Sequence, residues 1–181
     1  MNILVTGGTG FVGKPLVESL LSRGDSVTVL TRSIEKAQTI FPEKTPQFLT
    51  ALSTLKDLNE FDAVINLAGE PIFDKRWTVQ QKEKLRHSRI DLTQQIVQLI
   101  NQSEHPPFLI SGSATGIYGN CGEEQITEDT NPSTQFTAQL CIDWENAAKQ
   151  ANTRVCLVRT GLVLSPKGGA FAKILPLYRF G

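Results

Sequence analysis

The chain has 181 residues, enough to bury one sizeable core and ordinarily one domain. Eighteen basic residues balance eighteen acidic ones, so no basic face for nucleic acid is advertised. No apolar run reaches the roughly 18 residues that a membrane span requires, and neither nucleic acid nor membrane is expected as a partner.

Ile3 to Val5 reads as a short apolar strand that runs into Thr6-Gly7-Gly8-Thr9-Gly10-Phe11-Val12-Gly13. A helix follows, with Leu16, Val17, Leu20 and Leu21 on one side. Strand, glycine turn and helix form a phosphate cradle in the context that the motif requires. Gly7 is expected to permit the tight turn, Gly10 to let backbone approach a pyrophosphate, and Gly13 to let helix and strand pack closely. The helix start then offers unpaired N–H groups and a positive dipole end to the anion. The N-terminus accordingly reads as core strand and not as a signal peptide, since no basic region precedes it.

Gly24-Asp25 marks a turn, Ser26 to Leu30 a second strand, and Ser33 to Ile40 a short helix, followed by an extended piece at Gln47 to Leu49. The second strand ends in Thr31-Arg32-Ser33, where an NAD site usually carries an acid for the ribose hydroxyls. Arg32 instead suits a 2′-phosphate, with Thr31 or Ser33 adding a hydroxyl, so NADP is expected over NAD. An ordinary solvated arginine at a strand end is the plain alternative.

Asp62 to Asn66 is a fourth strand that exits through Leu67-Ala68-Gly69. Small residues there let backbone lie against adenine or ribose, and Asn66 can tie neighbouring strands together. Thr78-Val79-Gln80-Gln81 reads as a capping box that opens a long helix to about Asn101. Leu85, Leu92, Ile96 and Leu99 form its apolar stripe, and Arg89 falls on the same stripe. A charge there is costly unless it is paired or meets an anion. Arg89 therefore points at the cofactor or substrate, or else snorkels to a rim carboxylate. His87 lies off the stripe and reads as solvated.

Phe108 to Ile110 is a fifth strand, followed by Ser111-Gly112-Ser113-Ala114-Thr115-Gly116-Ile117-Tyr118-Gly119. Ser113 is the candidate for hydrogen-bonding a substrate carbonyl or alcohol beside the nicotinamide, with Tyr118 as the nearby phenol. The competing reading is a Ser/Gly loop with a packed tyrosine. A helix over Gln135 to Ala151 and a sixth strand over Val155 to Val158 complete the pattern. Strands alternating with helices at this spacing predict a Rossmann-type, doubly wound parallel α/β sheet with helices on both faces and ligands at the carboxyl ends of the strands. Residues 1–165 form the expected NAD(P)-binding domain. Residues 166–181 begin an apolar helix over 170–178 and read as the start of a substrate-binding region whose remainder is missing. Cys121, Cys141 and Cys156 lack C-x-x-C spacing and read as free thiols of a reducing compartment, with cytoplasm expected. With only two histidines and no cluster around either, no metal site is expected.

Taken together these motifs resemble the extended short-chain dehydrogenase/reductase superfamily, and more narrowly its atypical NAD(P)-binding "epimerase family" proteins related to nucleotide-sugar epimerases. The likeness runs through TGGTGFVG, LTR, INLAGEPI, DKRW, SR at 88–89, SGSATGIYG, LCIDWE and VRTGLVLSPKGG. It implies that Gly7, Gly10, Phe11, Val12 and Gly13 contact pyrophosphate. Thr31 and Arg32 would match the 2′-phosphate site, and Leu67 and Ala68 the adenosine wall. Arg89 would reach the cofactor, and Val163 would lie beside the nicotinamide. A homodimer through the two long helices is also implied.

One departure stands out. The superfamily carries proton chemistry on Ser, Tyr and Lys, the last two spaced Tyr-x-x-x-Lys on the helix after the serine segment. The lysine there lowers the tyrosine pKa. Here only Tyr118 and Tyr178 are present, and neither has a lysine four residues on. The expected helix supplies Thr137 with Cys141, or Phe136 with Leu140 if the register shifts by one. The expected protein is thus an NADP-binding oxidoreductase- or epimerase-like enzyme for a small carbonyl or nucleotide-sugar-like substrate. The alternative is a catalytically weak NADP(H)-binding sensor or scaffold.

Overall fold

A computed structural model describes residues 1–42, 45–166, 168, 169, 175 and 178. Six parallel strands lie in the order β3-β2-β1-β4-β5-β6. They are β1 (Asn2–Thr6), β2 (Ser26–Leu30), β3 (Gln47–Leu49), β4 (Ala63–Asn66), β5 (Phe108–Ala114) and β6 (Val155–Thr160). Among the described residues four α-helices lie between strands, α1 (Gly13–Arg23), α2 (Ile34–Ile40), α3 (Val79–Gln102) and α4 (Phe136–Ala148), and β3 leads to β4 through a short 3-10 turn at Leu52–Thr54. The chain reverses direction across the sheet between β1 and β4, so both halves present their strand ends around that crevice.

Period-two alternation divides the core. Ile3 and Val5 pack with Val17 and Leu20 of α1, together with Val27, Val29 and Ile65. Leu4, Val64 and Leu109 point the other way, against Ile96, Val97 and Ile100 of α3 and Ala148 of α4. The inner strands β1, β2, β4 and β5 are buried on both faces, which is why they read as apolar runs, while the edge strands β3 and β6 stay partly exposed.

The helix ends follow their local chemistry. Gly24 closes α1 at φ 92°, and its N–H bonds the Leu20 and Leu21 carbonyls. Ser33 caps α2 by accepting from the Lys36 N–H. Thr78 caps α3 by accepting from Gln81 N–H, while its own N–H goes to the Arg76 carbonyl, so only half of a capping box forms. No described helix is long and apolar enough to cross a membrane. The expected C-terminal helix over 170–178 falls, apart from Leu175 and Tyr178, outside the described residues.

Two strands run further than the sequence reading placed them. β5 continues through Ser111, Gly112 and Ser113 to Ala114, and β6 continues to Thr160, because the two stay paired to their ends. Ser113 is therefore a strand residue opposite Arg159, not part of a loop. Gly112 makes the extension possible on the helix side. A Cβ there would stand 2.9 Å from the Trp144 ring.

A buried polar chain ties the halves of the sheet to α3 and α4. Thr6 Oγ1 donates to Asn66 Oδ1 (2.7 Å), and Asn66 Nδ2 donates to Thr93 Oγ1 (2.8 Å). Thr93 Oγ1 also accepts from Trp144 Nε1 (3.0 Å) and donates to the Arg89 carbonyl (2.7 Å). Replacing Thr93 by the isosteric valine strands two buried donors, each costing about 1–3 kcal/mol. Thr93→Val should lower unfolding stability by about 2–4 kcal/mol, read as a lower urea midpoint with unchanged slope. An unchanged midpoint would deny the chain a structural role.

Candidate functional site

The glycine turn after β1 is shaped by contacts that exclude side chains. Gly7 sits at φ 69°, and a Cβ there would meet the Leu67 carbonyl and Ala68 nitrogen at 2.7–2.8 Å. A Cβ on Gly13 would lie 2.1 Å from the Gly7 oxygen, so α1 starts in direct contact with the turn. Gly10 differs: its added Cβ would meet only the Gly7 oxygen, at 3.1 Å, and otherwise faces open space. The start of α1 has no side-chain cap, since Val12 occupies the cap position. An open glycine face beside an uncapped helix start is the donor set that a diphosphate needs. The residues present fit a dinucleotide.

Around this cradle stand the other expected contacts. Phe11 and Val12 are exposed, and the Phe11 ring lies on the backbone of Gly168 and Gly169, whose added Cβ atoms would meet it at 2.8 and 2.9 Å. Val163 borders the same loop, its carbonyl facing Gly169. Arg32 is exposed at the end of β2. Thr31 Oγ1 donates to the Ser33 carbonyl (3.1 Å) and accepts from the Ser33 N–H (3.3 Å), which fixes the backbone on either side of Arg32. Two residues past β4, the Ala68 N–H donates to Thr6 Oγ1, so Leu67-Ala68 is anchored against β1.

Arg89 is half-buried and sits on neutral partners: the Leu85 carbonyl (3.2 Å), the Ser88 hydroxyl (3.4 Å) and the Glu70 carbonyl (3.0 Å). Its guanidinium also faces the Trp144 ring at 5.3 Å. Burial pulls its pKa down, with Cys141 and Glu70 opposing. A cation whose direct hydrogen-bond partners are all neutral oxygens remains receptive to an anion. Gly69 is explained by the same residue, since any Cβ there would stand 2.8 Å from the Arg89 guanidinium carbon. His87 is exposed and paired with Asp91 at 2.8 Å.

Ser113 and Tyr118 belong to one network. Ser113 is 5% exposed and its hydroxyl donates to Glu145 Oε1 at 2.7 Å. Glu145, 2% exposed, is gripped by Arg159 through Nε to Oε1 (2.8 Å) and Nη2 to Oε2 (2.9 Å). Arg159 Nη1 donates to the Tyr118 hydroxyl (2.6 Å) and to the Glu128 carbonyl (2.8 Å). Burial pushes the Glu145 carboxyl up, but the hydrogen bonds from Arg159 and Ser113 and the Arg159 charge outweigh it, so the group titrates below its ordinary value of 4.5. Carboxylate and hydroxyl together raise the Arg159 pKa. An open cleft of about 760 Å³ adjoins the network, lined by Thr115, Tyr118, Ile126, Glu128, Val158 and Arg159.

The sequence reading did not single out Glu145 and Arg159. The signal was present: Ala138, Cys141, Glu145 and Ala148 recur at three- and four-residue steps, so an acid sits on the buried stripe of α4 as Arg89 does on α3. Cys141 is buried beside Ser113. Burial pushes its thiol up and keeps it protonated. Among the described residues no group of three or more His, Cys, Asp and Glu could hold a metal ion.

Comparison with known proteins places this geometry. A family model described as Epimerase, the NAD dependent epimerase/dehydratase family, matches residues 3–178. The chain is 40% identical over 188 residues to the chloroplastic epimerase family protein SDR39U1 homolog of Arabidopsis thaliana, covering 99% of this chain and 54% of that protein. It is 36% identical over 189 residues to epimerase family protein YfhF of Bacillus subtilis, covering 99% and 60%. Among solved structures it superposes on human epimerase family protein SDR39U1 (isoform 2) with NADPH at a TM-score of 0.86 and 31% identity, covering all of this chain and 60% of that one. A nucleoside-diphosphate sugar epimerase from Corynebacterium glutamicum matches at a TM-score of 0.81 and 31% identity, covering all of this chain and 38% of that one. The chain thus spans little more than half the length of the two relatives.

The lowered carboxyl of Glu145 sets an acid limit. Its stabilisation is whole above 4.5, the ordinary value, and is lost as the pH falls through the lower folded value. Glu145→Gln should cost about 2–3 kcal/mol near neutrality. That gap should close as the pH is taken down through the acid range, read by thermal melts of both proteins. A gap that stays constant with pH would show that the carboxylate's charge is not what stabilises the network.

Proposed function

The chain belongs to the NAD dependent epimerase/dehydratase family, and from that premise we propose that it binds NADP(H) and works on a small carbonyl or nucleotide-sugar-like substrate as an oxidoreductase or epimerase. Bound there, the nicotinamide would supply hydride transfer. The observation that carries the reading is the cradle: an open Gly10 face beside an uncapped helix start, with Arg32 where an acid would select NAD. The NADPH in the human relative's structure supports the same cofactor.

In this reading Gly7, Gly10, Phe11, Val12 and Gly13 hold the diphosphate. Thr31 shapes the turn from which Arg32 grips the 2′-phosphate. Leu67, Ala68 and Gly69 wall the adenosine, Arg89 adds positive charge, and Val163 borders the nicotinamide. Ser113 orients a substrate oxygen, and Tyr118 stands as the nearby phenol. Residues 1–165 form the cofactor domain and 166–181 begin the substrate region. The long helices α3 and α4, bridged by the Arg86–Asp143 ion pair, are the candidate dimer face, and the cytoplasm is the proposed compartment.

A second reading rests on a specific observation. Where the superfamily's helix carries Tyr and Lys, this one offers Thr137 with the buried thiol of Cys141, or Phe136 with Leu140 one residue earlier, and neither pair can do that work. Lost general acid–base help costs about 10²–10⁴-fold in rate, which suits a protein that holds NADP(H) as a sensor or scaffold. Following NADPH absorbance against a panel of carbonyl and nucleotide-sugar substrates separates the two. Tight NADPH binding with no substrate-dependent oxidation favours the sensor.

Arg32→Asp tests the cofactor assignment. NADPH affinity should fall by about 10- to 100-fold, the worth of a charge-assisted phosphate pair. Affinity for NADH should change less than about threefold, both measured by calorimetry. Equal weakening would remove the 2′-phosphate site.

A further inference from the structure

The direction of one hydrogen bond restricts what Ser113 can recognise. Glu145 is held by two guanidinium nitrogens of Arg159, and a carboxylate in that grip accepts hydrogen bonds without donating any. The 2.7 Å contact between Ser113 Oγ and Glu145 Oε1 must therefore use the single hydrogen that serine owns. What remains on Ser113 is lone pairs. Arg159 cannot release the acid to swing elsewhere, because its third nitrogen is engaged by the Tyr118 hydroxyl and the Glu128 carbonyl. The neighbouring Cys141 is a protonated thiol, a weak donor that a hydroxyl displaces.

Resting on the cofactor and Ser113 readings above, and narrowing the substrate from a carbonyl to the matching alcohol, we propose that Glu145 is a positioning residue that locks Ser113 as a hydrogen-bond acceptor, so that the site selects the hydroxyl of an alcohol over the carbonyl of its oxidised form. A carbonyl oxygen docked on Ser113 would set two acceptors face to face in a desolvated place, with neither satisfied. An alcohol hydroxyl instead completes a one-way chain, from substrate O–H to Ser113 and from Ser113 O–H to Glu145. The family's serine segment thus keeps its hydroxyl here, but with a fixed polarity that the sequence does not display.

The test uses an isosteric pair of probes, cyclohexanol and cyclohexanone, titrated by saturation-transfer NMR onto the chain loaded with NADP⁺. Cyclohexanol should bind at least about tenfold more tightly, the factor expected when an acceptor faces an acceptor. Ser113→Ala, which leaves both Arg159–Glu145 bonds in place, should bring the two affinities within about threefold. Glu145→Leu, which carries no acceptor, frees the serine hydrogen and should move preference toward the ketone. Calorimetric NADP⁺ affinity should be unchanged in both variants, a readout that general unfolding would not spare. Equal binding by the unaltered chain, a preference that survives Ser113→Ala, or binding of neither probe by NADP⁺-loaded protein overturns the proposal alone. A chain that takes up no NADP⁺ fails the cofactor reading and this one together.

Discussion

A buried carboxylate organises the carboxyl end of this sheet. Removing Glu145 from water is costly, and the structure offsets the cost with two charge-assisted bonds from Arg159 and a third from Ser113. Those three bonds join α4, β6 and β5 at one point, and the remaining arm of Arg159 gathers in Tyr118 and the segment at Glu128. Removing one member leaves a charge or an acceptor stranded, so the group behaves as a unit. Ser113 has its place and its orientation because this unit exists.

The amino half is arranged on a different principle. There the constraint is space, with the Gly7, Gly10 and Gly13 backbone packed so closely that side chains are excluded on all but one face. The Thr6–Asn66–Thr93–Trp144 chain links the two regimes. It runs from the end of β1, where the glycine turn begins, through α3 to the helix that carries Glu145. Cradle and serine are thereby held in register by neutral hydrogen bonds inside a dry core, where such bonds are stronger and their loss is felt.

Much of this was legible because it depends on local chemistry. Strand–glycine–helix at the N-terminus, the Thr78 cap and the stripe that exposed Arg89 as an anomaly each follow from short-range rules. What escaped depends on pairing across long sequence separations. The Ser111–Ser113 segment looked like a loop because its serines and glycine favour turns, yet pairing with β6 and the ring of Trp144 hold it extended. Glu145 was legible on the same grounds as Arg89. Its partner was not, because Arg159 lies one residue past the predicted end of β6, on a strand whose length is set by β5. Tyr118 was placed near Ser113 in sequence and is linked to it in space through Arg159 and Glu145.

The Phe11 ring, seated on the Gly168–Gly169 backbone, fastens the glycine turn to a loop almost at the other end of the chain. Closing so wide a circuit carries a loop-entropy penalty, though one that grows only slowly with the length of the loop. One exposed aromatic ring thus spans the turn after β1 and the Gly168–Gly169 backbone, so a change of side chain at position 11 is felt in both segments at once.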